Sequence, residues 1–590
     1  MKTNTTPIWF VLAAALAGGI WFFEKHWSPA SPGSSGLLAG LRAADVTAIE
    51  IIPAGERKIS LVRTNKNWRL LEPLAYPAQN AAVESLVAAL EKLSPALRLT
   101  AAEMQSHKNA DAEFGFENPQ FTLDVSAGGQ NWHLRVGNKT APGDGVYVRL
   151  IGGAGAFVTG VDWLQFLPRD FAAWRDTALV SASGAVDWLV ISNGIKVIEL
   201  RADTTNHLWR MVRPLAARAD GAFISTAIQQ LRFARASRFV TDDPKADLAT
   251  YGLAPAELDI WLGQGSNVLD AVHLGKNFPE NPTQIFARRE GWNSVVAAAK
   301  EPLMPWRGGA NDFRDPHLLN FNAPVVAIDV HADNPFTLQR LGTNEWTVAG
   351  EKFPVDAANV QLFLRLLGNL SASEFVKDVV TATDLEGFGL VTNTHSITLH
   401  FADGTTNALL FGAGDTNRVL VKRSDEDFVY GISLADADSL PDNAWLFRER
   451  QLWNFSLANL AQITLHQGGR TRQVIRTGVN HWALAAGSQG IVVDTVGLEE
   501  TARAFSTLAV ERWVGKNFTA PEKYGFDTNS LQVNLELKSG EKFTVDFGAE
   551  LHGQTALAAV TLTGERWAFV FPPAFYPLVS TYLTVPPGAP

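Results

Sequence analysis

Trp68, Trp209, Trp346 and Trp482 stand at intervals of 141, 137 and 136 residues, each inside a similar stretch of a 590-residue chain. Two further markers keep the same step. The triplet Phe114-Gly115-Phe116 recurs as Tyr251-Gly252-Leu253, Phe388-Gly389-Leu390 and Tyr524-Gly525-Phe526. A glycine closing an apolar run recurs in Val136-Gly137, Leu274-Gly275, Phe411-Gly412 and Phe547-Gly548. Three markers in one register constrain the chain to a tandem array of four copies of one unit. A residue present in every copy is most economically scaffold, whereas chemistry usually needs one site. Length agrees, because domains run about 100–200 residues. With 46% apolar and 19% charged residues, each copy can bury a core and wholesale disorder is excluded.

Within a copy the pattern begins with short alternating runs, Val46 to Ile51 and Ile59 to Val62, followed by the strand bearing Trp68. Such alternation marks half-buried strands. The period then changes: Val83, Leu86, Val87, Leu90 and Leu93 share one helical face. Asn80 is the expected N-cap there, and Asp220, Asp356 and Asp494 are the caps in the other copies, since a side-chain oxygen accepts the free N–H groups of a first turn. The face continues through Val360, Phe363, Leu364, Leu367 and Leu370 in the third copy and Leu498, Ala502, Phe505 and Leu508 in the fourth. After the triplet come four more strands, Phe121 to Val125, Trp132 to Val136, Val146 to Leu150 and Ala156 to Thr159, then an aromatic segment, Trp163 to Phe171. The predicted unit is three strands, a helix, four strands and a helical turn. The fold class is α+β, a mainly antiparallel sheet with one principal packed helix in each of four tandem β-rich repeats, following an N-terminal transmembrane helix.

Pro7 to Phe23 carries no charge and has aromatic residues at both ends. At about 1.5 Å rise per residue it is a minimal membrane span, and Trp9, Trp21 and Trp27 suit the headgroup level. Lys2 before the segment favours N-inside, C-outside. The rival is a cleaved signal peptide ending at Ser28-Pro29-Ala30. Ser28 to Gly36, rich in Pro, Gly and Ser, reads as a flexible tether. The expected layout is a cytoplasmic tip 1–7, an anchor 8–27, a tether 28–44 and repeats 45–180, 181–319, 320–454 and 455–590.

A net charge of −10 without a long charged block argues against a nucleic-acid surface. The absence of cysteine removes disulfides, thiolate nucleophiles and cysteine-ligated metals. No nucleophile elbow, zinc helix or Walker A loop is present. Gly275-Lys276-Asn277 and Gly515-Lys516-Asn517 lack the remainder of a phosphate loop. His395 and His400, five apart in a strand-like run, fall on opposite faces. Asp425-Glu426-Asp427 with Asp436, Asp438 and Asp442 lacks the EF-hand order and reads as a solvated loop. Arg232, Arg235 and Arg238 suit a helix C-terminus. The 18 tryptophans read mainly as core. No catalytic, cofactor or metal residue is assigned. If one copy is specialised for binding, it is the second, with its unshared Phe278-Pro279-Glu280-Asn281-Pro282 and Trp306-Arg307-Gly308-Gly309 segments.

Trp68-Arg69-Leu70-Leu71-Glu72-Pro73 and Trp209-Arg210-Met211-Val212-Arg213-Pro214, the helix led by Asp220, Tyr251-Gly252-Leu253-Ala254-Pro255, His273-Leu274-Gly275 and the closing Asp312-Phe313-Arg314-Asp315 together resemble the bacterial domain-of-unknown-function family numbered 4340. The third copy lacks the proline after its tryptophan. The fourth lacks the Trp-Arg-Asp type of ending and finishes in Pro586-Pro587, as a terminal capping unit does. The resemblance implies an exported protein held in the bacterial inner membrane by one helix, its bulk periplasmic, beside gliding-type ABC transporter permease and auxiliary subunits. The expected function is a non-enzymatic accessory or scaffold. The alternative is an exported glycan-binding or glycan-processing protein with a site between repeats.

Overall fold

The computed structural model describes residues 36–584 apart from 204, 206–207, 392–394 and 489–493. The anchor expected at 8–27, residues 28–35 of the tether and Pro586-Pro587 lie outside the described residues. The rest of the expected tether is not free, because Leu37, Leu38 and Leu41 are buried in the first core. Among the described residues no helix is long and apolar enough to cross a membrane.

Four antiparallel sheets follow one another, and their strand orders correspond position by position. In the first, Tyr76–Pro77, Asn67–Glu72, Ile59–Thr64 and Val46–Pro53 form one meander, and Phe121–Ala127, Gln130–Lys139, Gly145–Leu150 and Ala156–Gly160 form another. Val46–Pro53 and Phe121–Ala127 pair at the centre, with Ile49 opposite Val125 and Ile51 opposite Leu123. Leu97–Leu99 adds an edge strand beside Ala156–Gly160. The second sheet repeats all nine positions, and among the described residues the third and fourth have eight, without a counterpart of Tyr76–Pro77. The unit is therefore richer in strands than the sequence pattern predicts. The additional strands hold two to six residues, and the shortest are too brief to display a period of two.

One long helix packs on each sheet: Asn80–Glu91, Gly221–Phe233, Ala357–Asn369 and Thr495–Ser506, the last joined by the shorter Tyr576–Tyr582. The apolar face of the long helix, for example Val83, Leu86, Val87 and Leu90, meets Ile49, Ile51, Leu61, Leu123 and Val125 in the main core. Asp220 accepts from the Phe223 N–H, Asp356 from Ala358, and Asp494 from Val496 and Gly497, so these three are caps. Asn80 is not a cap. It is the first helical residue, and its Oδ1 accepts the backbone N–H of Trp68 at 2.6 Å, tying helix to strand.

The chain divides into two compact units, Met1–Arg314 and Asp315–Pro590, each holding two sheets. The opposite face of each sheet carries the triplet, and the two glycine markers have one steric cause there. A Cβ on Gly137, Gly275, Gly412 or Gly548 would stand 2.0, 2.2, 2.3 or 2.2 Å from the carbonyl oxygen of Phe114, Tyr251, Phe388 or Tyr524. The bare strand lets that carbonyl accept the N–H of the residue after the glycine, as Lys276 does for Tyr251 at 2.9 Å. The triplet glycine turns the chain back with positive φ, 80° at Gly115 and 69° at Gly252, a region that side chains disfavour.

Candidate functional site

The sequence-nominated residues separate into those held by the fold and those lining open space. Lys276 Nζ donates to the Ala249 carbonyl, and Lys516 pairs with Glu351 and Glu565 at 3.0 and 3.1 Å. His400 binds Asp329 at 2.7 Å, while His395 stacks on Phe411 and burial lowers its pKa. Asp425, Asp427, Asp436, Asp438 and Asp442 are exposed, while Asp425 and Glu426 also pair with the buried Arg423, and Asp436 accepts the Ser433 hydroxyl hydrogen at the start of a short helix. Arg235 donates to the Arg232 and Ala234 carbonyls at its helix end, whereas Arg238 reaches Glu280 at 2.7 Å. Among the described residues no group of three acidic or histidine side chains is placed to hold a metal.

In the first and fourth sheets the tryptophan marker has a polar partner besides its core packing, whereas the buried Trp346 indole N–H has none among the described residues. In the first sheet Arg63 and Trp68 lie opposite one another, and both donate to Glu84, the indole at 2.7 Å. In the fourth, Arg476 and Trp482 bind Glu499 at 2.6 and 3.0 Å, and the Arg476 hydrogen bond holds that carboxyl below its usual range. A helix carboxylate thereby pins the strand on which its own core depends. His273 bridges Asp259 and Glu290 at 2.5 and 2.6 Å. Both ring nitrogens are spent on carboxylates, leaving neither for a substrate.

The segment distinguishing the second copy does line a cleft, of about 460 Å³. Its floor comes from Ile191, Ile198 and Leu258, which share one face of the sheet, and it is also lined by Val197, Pro214 and Arg307-Gly308-Gly309. Pro305 and the fully buried Trp306 fix the wall in a 3-10 turn. Asp312 accepts the Gly309 N–H at 2.8 Å and sits where any Gly308 Cβ would stand. Arg307 donates to the Gly275 carbonyl at 2.9 Å. Its contacts with Glu257 are longer, 3.3 and 3.4 Å. The other distinguishing segment does not join the cleft, because Phe278 is buried beside Phe286 and Glu280 faces Arg238.

The Trp-Arg-Asp ending proves to be a seam between successive sheets. Arg175, 1% exposed, donates to Asp242 at 2.7 and 3.0 Å and to Ser294 at 2.7 Å, all in the second sheet's part of the chain. Its guanidinium lies 3.4 Å from the Phe239 ring centre and 4.4 Å from that of Tyr76. Asp176 binds Arg289 at 3.0 Å. Arg448 occupies the corresponding place between the third and fourth sheets, but different groups receive it. It lies over Trp567 at 4.2 Å, Trp513 at 5.0 Å and Phe353 at 5.5 Å. Burial pushes its pKa down, against the opposing pull of Glu565 and Glu351. The backbone bonds correspond: Ala236 N–H to Thr177 O in one seam, Val510 N–H to Arg450 O in the other. In that register Lys516 stands for Asp242 and Trp567 for Ser294. Sequence spacing reveals the arginine but not its partners, which lie in another sheet.

Residues 68–201, 209–345 and 346–529 match the family described as a domain of unknown function, DUF4340. The chain belongs to the DUF4340 family. Each match to DUF4340 opens on one of the recurring tryptophans, Trp68, Trp209 or Trp346, and together the matches take in most of the chain. No curated protein matches it.

Proposed function

We propose that this DUF4340 protein is a non-enzymatic, membrane-anchored extracytoplasmic scaffold, its four sheets being four copies of one domain. Its place is as an accessory component of an ABC-type transport or envelope system. The observation that carries the reading is the pair of buried arginine seams. Buried charge costs desolvation and is retained where it fixes geometry. Here the buried guanidinium groups hold neighbouring sheets in register. A body of two locked sheets presents side chains at fixed spacing, as a docking platform needs. The inner-membrane location draws on the uncharged run Pro7 to Phe23, and the transporter association on the family resemblance.

One observation favours a glycan-binding alternative. A groove of about 630 Å³ between the third and fourth sheets gathers Asp356, Glu449 and Glu511. Asp356, however, is engaged by its helix and lies 3.8 Å from Arg450. Affinity purification of the intact protein from its native membrane in mild detergent, with mass spectrometry of the co-purifying chains, tests the scaffold. Permease and auxiliary subunits in stoichiometric amount are the expected result. Recovery of the protein alone, with glycan retained on it and lost in a Glu449→Gln, Glu511→Gln double variant, reverses the ranking.

A further inference from the structure

The cleft of the second sheet belongs to no seam and repeats no marker. Its floor strands, Trp188–Ser192, Val197–Ala202 and Leu258–Gln264, are interior to the sheet and paired on both sides. Strand addition is thereby excluded, and an occupant is held by burial of its own apolar surface. The hairpin turn bordering the cleft is built to expose rather than hide a large apolar side chain. Asn193 accepts the N–H groups of Ile195 and Lys196 at 3.2 and 2.8 Å, fixing the turn, and Ile195 is 91% exposed.

Charge then selects the occupant. Lys196 lines the cleft and has no ion pair among the described residues. Arg307 is anchored through one nitrogen to a backbone carbonyl, and among the described residues the carboxylate it meets is Glu257, at the longer distances of 3.3 and 3.4 Å. An apolar floor with two cations beside it and one weakly engaged acid fits an anion with an apolar body. The volume falls within the roughly 300–1,000 Å³ of small-molecule sites.

We propose that this cleft binds a small amphiphilic carboxylate, its chain on Ile191, Ile198 and Leu258 and its head group at Lys196 and Arg307. The binding does not depend on the scaffold role. The full chain, held in amphipol, is irradiated with dodecanoate carrying a diazirine at the end of its chain, and labelled peptides are mapped by mass spectrometry. Label is expected within residues 188–202 and 305–310, displaced by dodecanoate but at least tenfold less well by dodecyltrimethylammonium. Each methylene removed from the competitor is expected to weaken displacement about threefold to fourfold. Lys196→Glu and Ile195→Glu, both at exposed positions and harmless to the fold, should each cut labelling about tenfold. Label spread over other segments, equal displacement by the cationic amphiphile, or unchanged labelling in both variants overturns the proposal. Labelling of the cleft in protein that purifies without partners separates this inference from the scaffold reading.

Discussion

Replacing Arg175 with methionine keeps an unbranched apolar stem but removes the fork that joins the first two sheets. The wild-type guanidinium is 1% exposed and makes three charge-assisted bonds, two to Asp242 and one to Ser294. Breaking a buried ion pair costs roughly 3–5 kcal/mol because the surviving partner is left uncompensated. The Asp242 side chain is 31% exposed, so water relieves part of that loss. A cost of about 2–3 kcal/mol remains, with stacking on Phe239 and Tyr76 also lost. That corresponds to an opening of the seam favoured by about a hundredfold. Hydrogen exchange reads it directly. Leu179 N–H bonds to the Ala234 carbonyl and Ala236 N–H to that of Thr177, both across the seam. These two amides should exchange about a hundredfold faster, while Ile191 and Leu262 inside the second sheet keep their protection. Arg175→Lys should recover only part, since an ammonium cannot serve Asp242 and Ser294 with a planar fork. Unchanged seam amides, or an equal loss of protection throughout the second sheet, would refute the reasoning.

The same physics sets three further outcomes. Gly275→Ala places a methyl group 2.2 Å from the Tyr251 carbonyl oxygen and should lower stability by about 3 kcal/mol, read as a drop in the denaturant midpoint; an unchanged midpoint refutes the close-approach explanation. Glu499→Gln leaves the buried Arg476 without its carboxylate and should cost about 3 kcal/mol by calorimetry. A near-neutral result would show that the Trp482 triad is not structural. Asp384 is held down to about 2 by Lys377 and by the Thr381 backbone and hydroxyl. A carboxyl depressed on folding contributes stability that is present above its unfolded value near 3.8 and lost as pH falls through about 2. Asp384→Asn should therefore remove part of the pH dependence between about 4 and 2 in urea titrations, and identical slopes in the two proteins would contradict the assignment.

The recurring tryptophans and glycines were legible because each answers a requirement posed again in every sheet. Gly275 admits one carbonyl, Gly252 turns one loop, and neither requirement depends on a distant partner. The helix stripes were legible for a similar reason: Val83 to Leu90 display the helical period on their own. Asn80 misleads because the same amide oxygen suits a cap and a neighbouring strand, and only packing decides that it serves Trp68. Leu97–Leu99 carries no pattern at three residues, and its pairing with Ala156–Gly160 is a tertiary choice. The seams are hidden for the opposite reason. Arg175 is conspicuous in the closing motif, but Asp242 and Ser294 lie 67 and 119 residues further on. The cleft of the second sheet was traceable only through the irregularity of Trp306 to Gly309, with nothing in that segment to announce the floor beneath it.

The two seams also bear on how four related units can fold on one chain. Nascent units of similar sequence risk docking against the wrong neighbour, a characteristic failure of tandem proteins. Both joints close on the same residue type, so discrimination rests on what surrounds it: the second sheet offers Asp242 to Arg175, whereas in the fourth Lys516 takes that place and pairs with Glu351 of the third sheet's segment. Docked on the second sheet instead, Glu351 would face the Asp242 carboxylate and lose its cation. Order along the chain is thus favoured by the chemistry around the joints as well as by covalent connectivity.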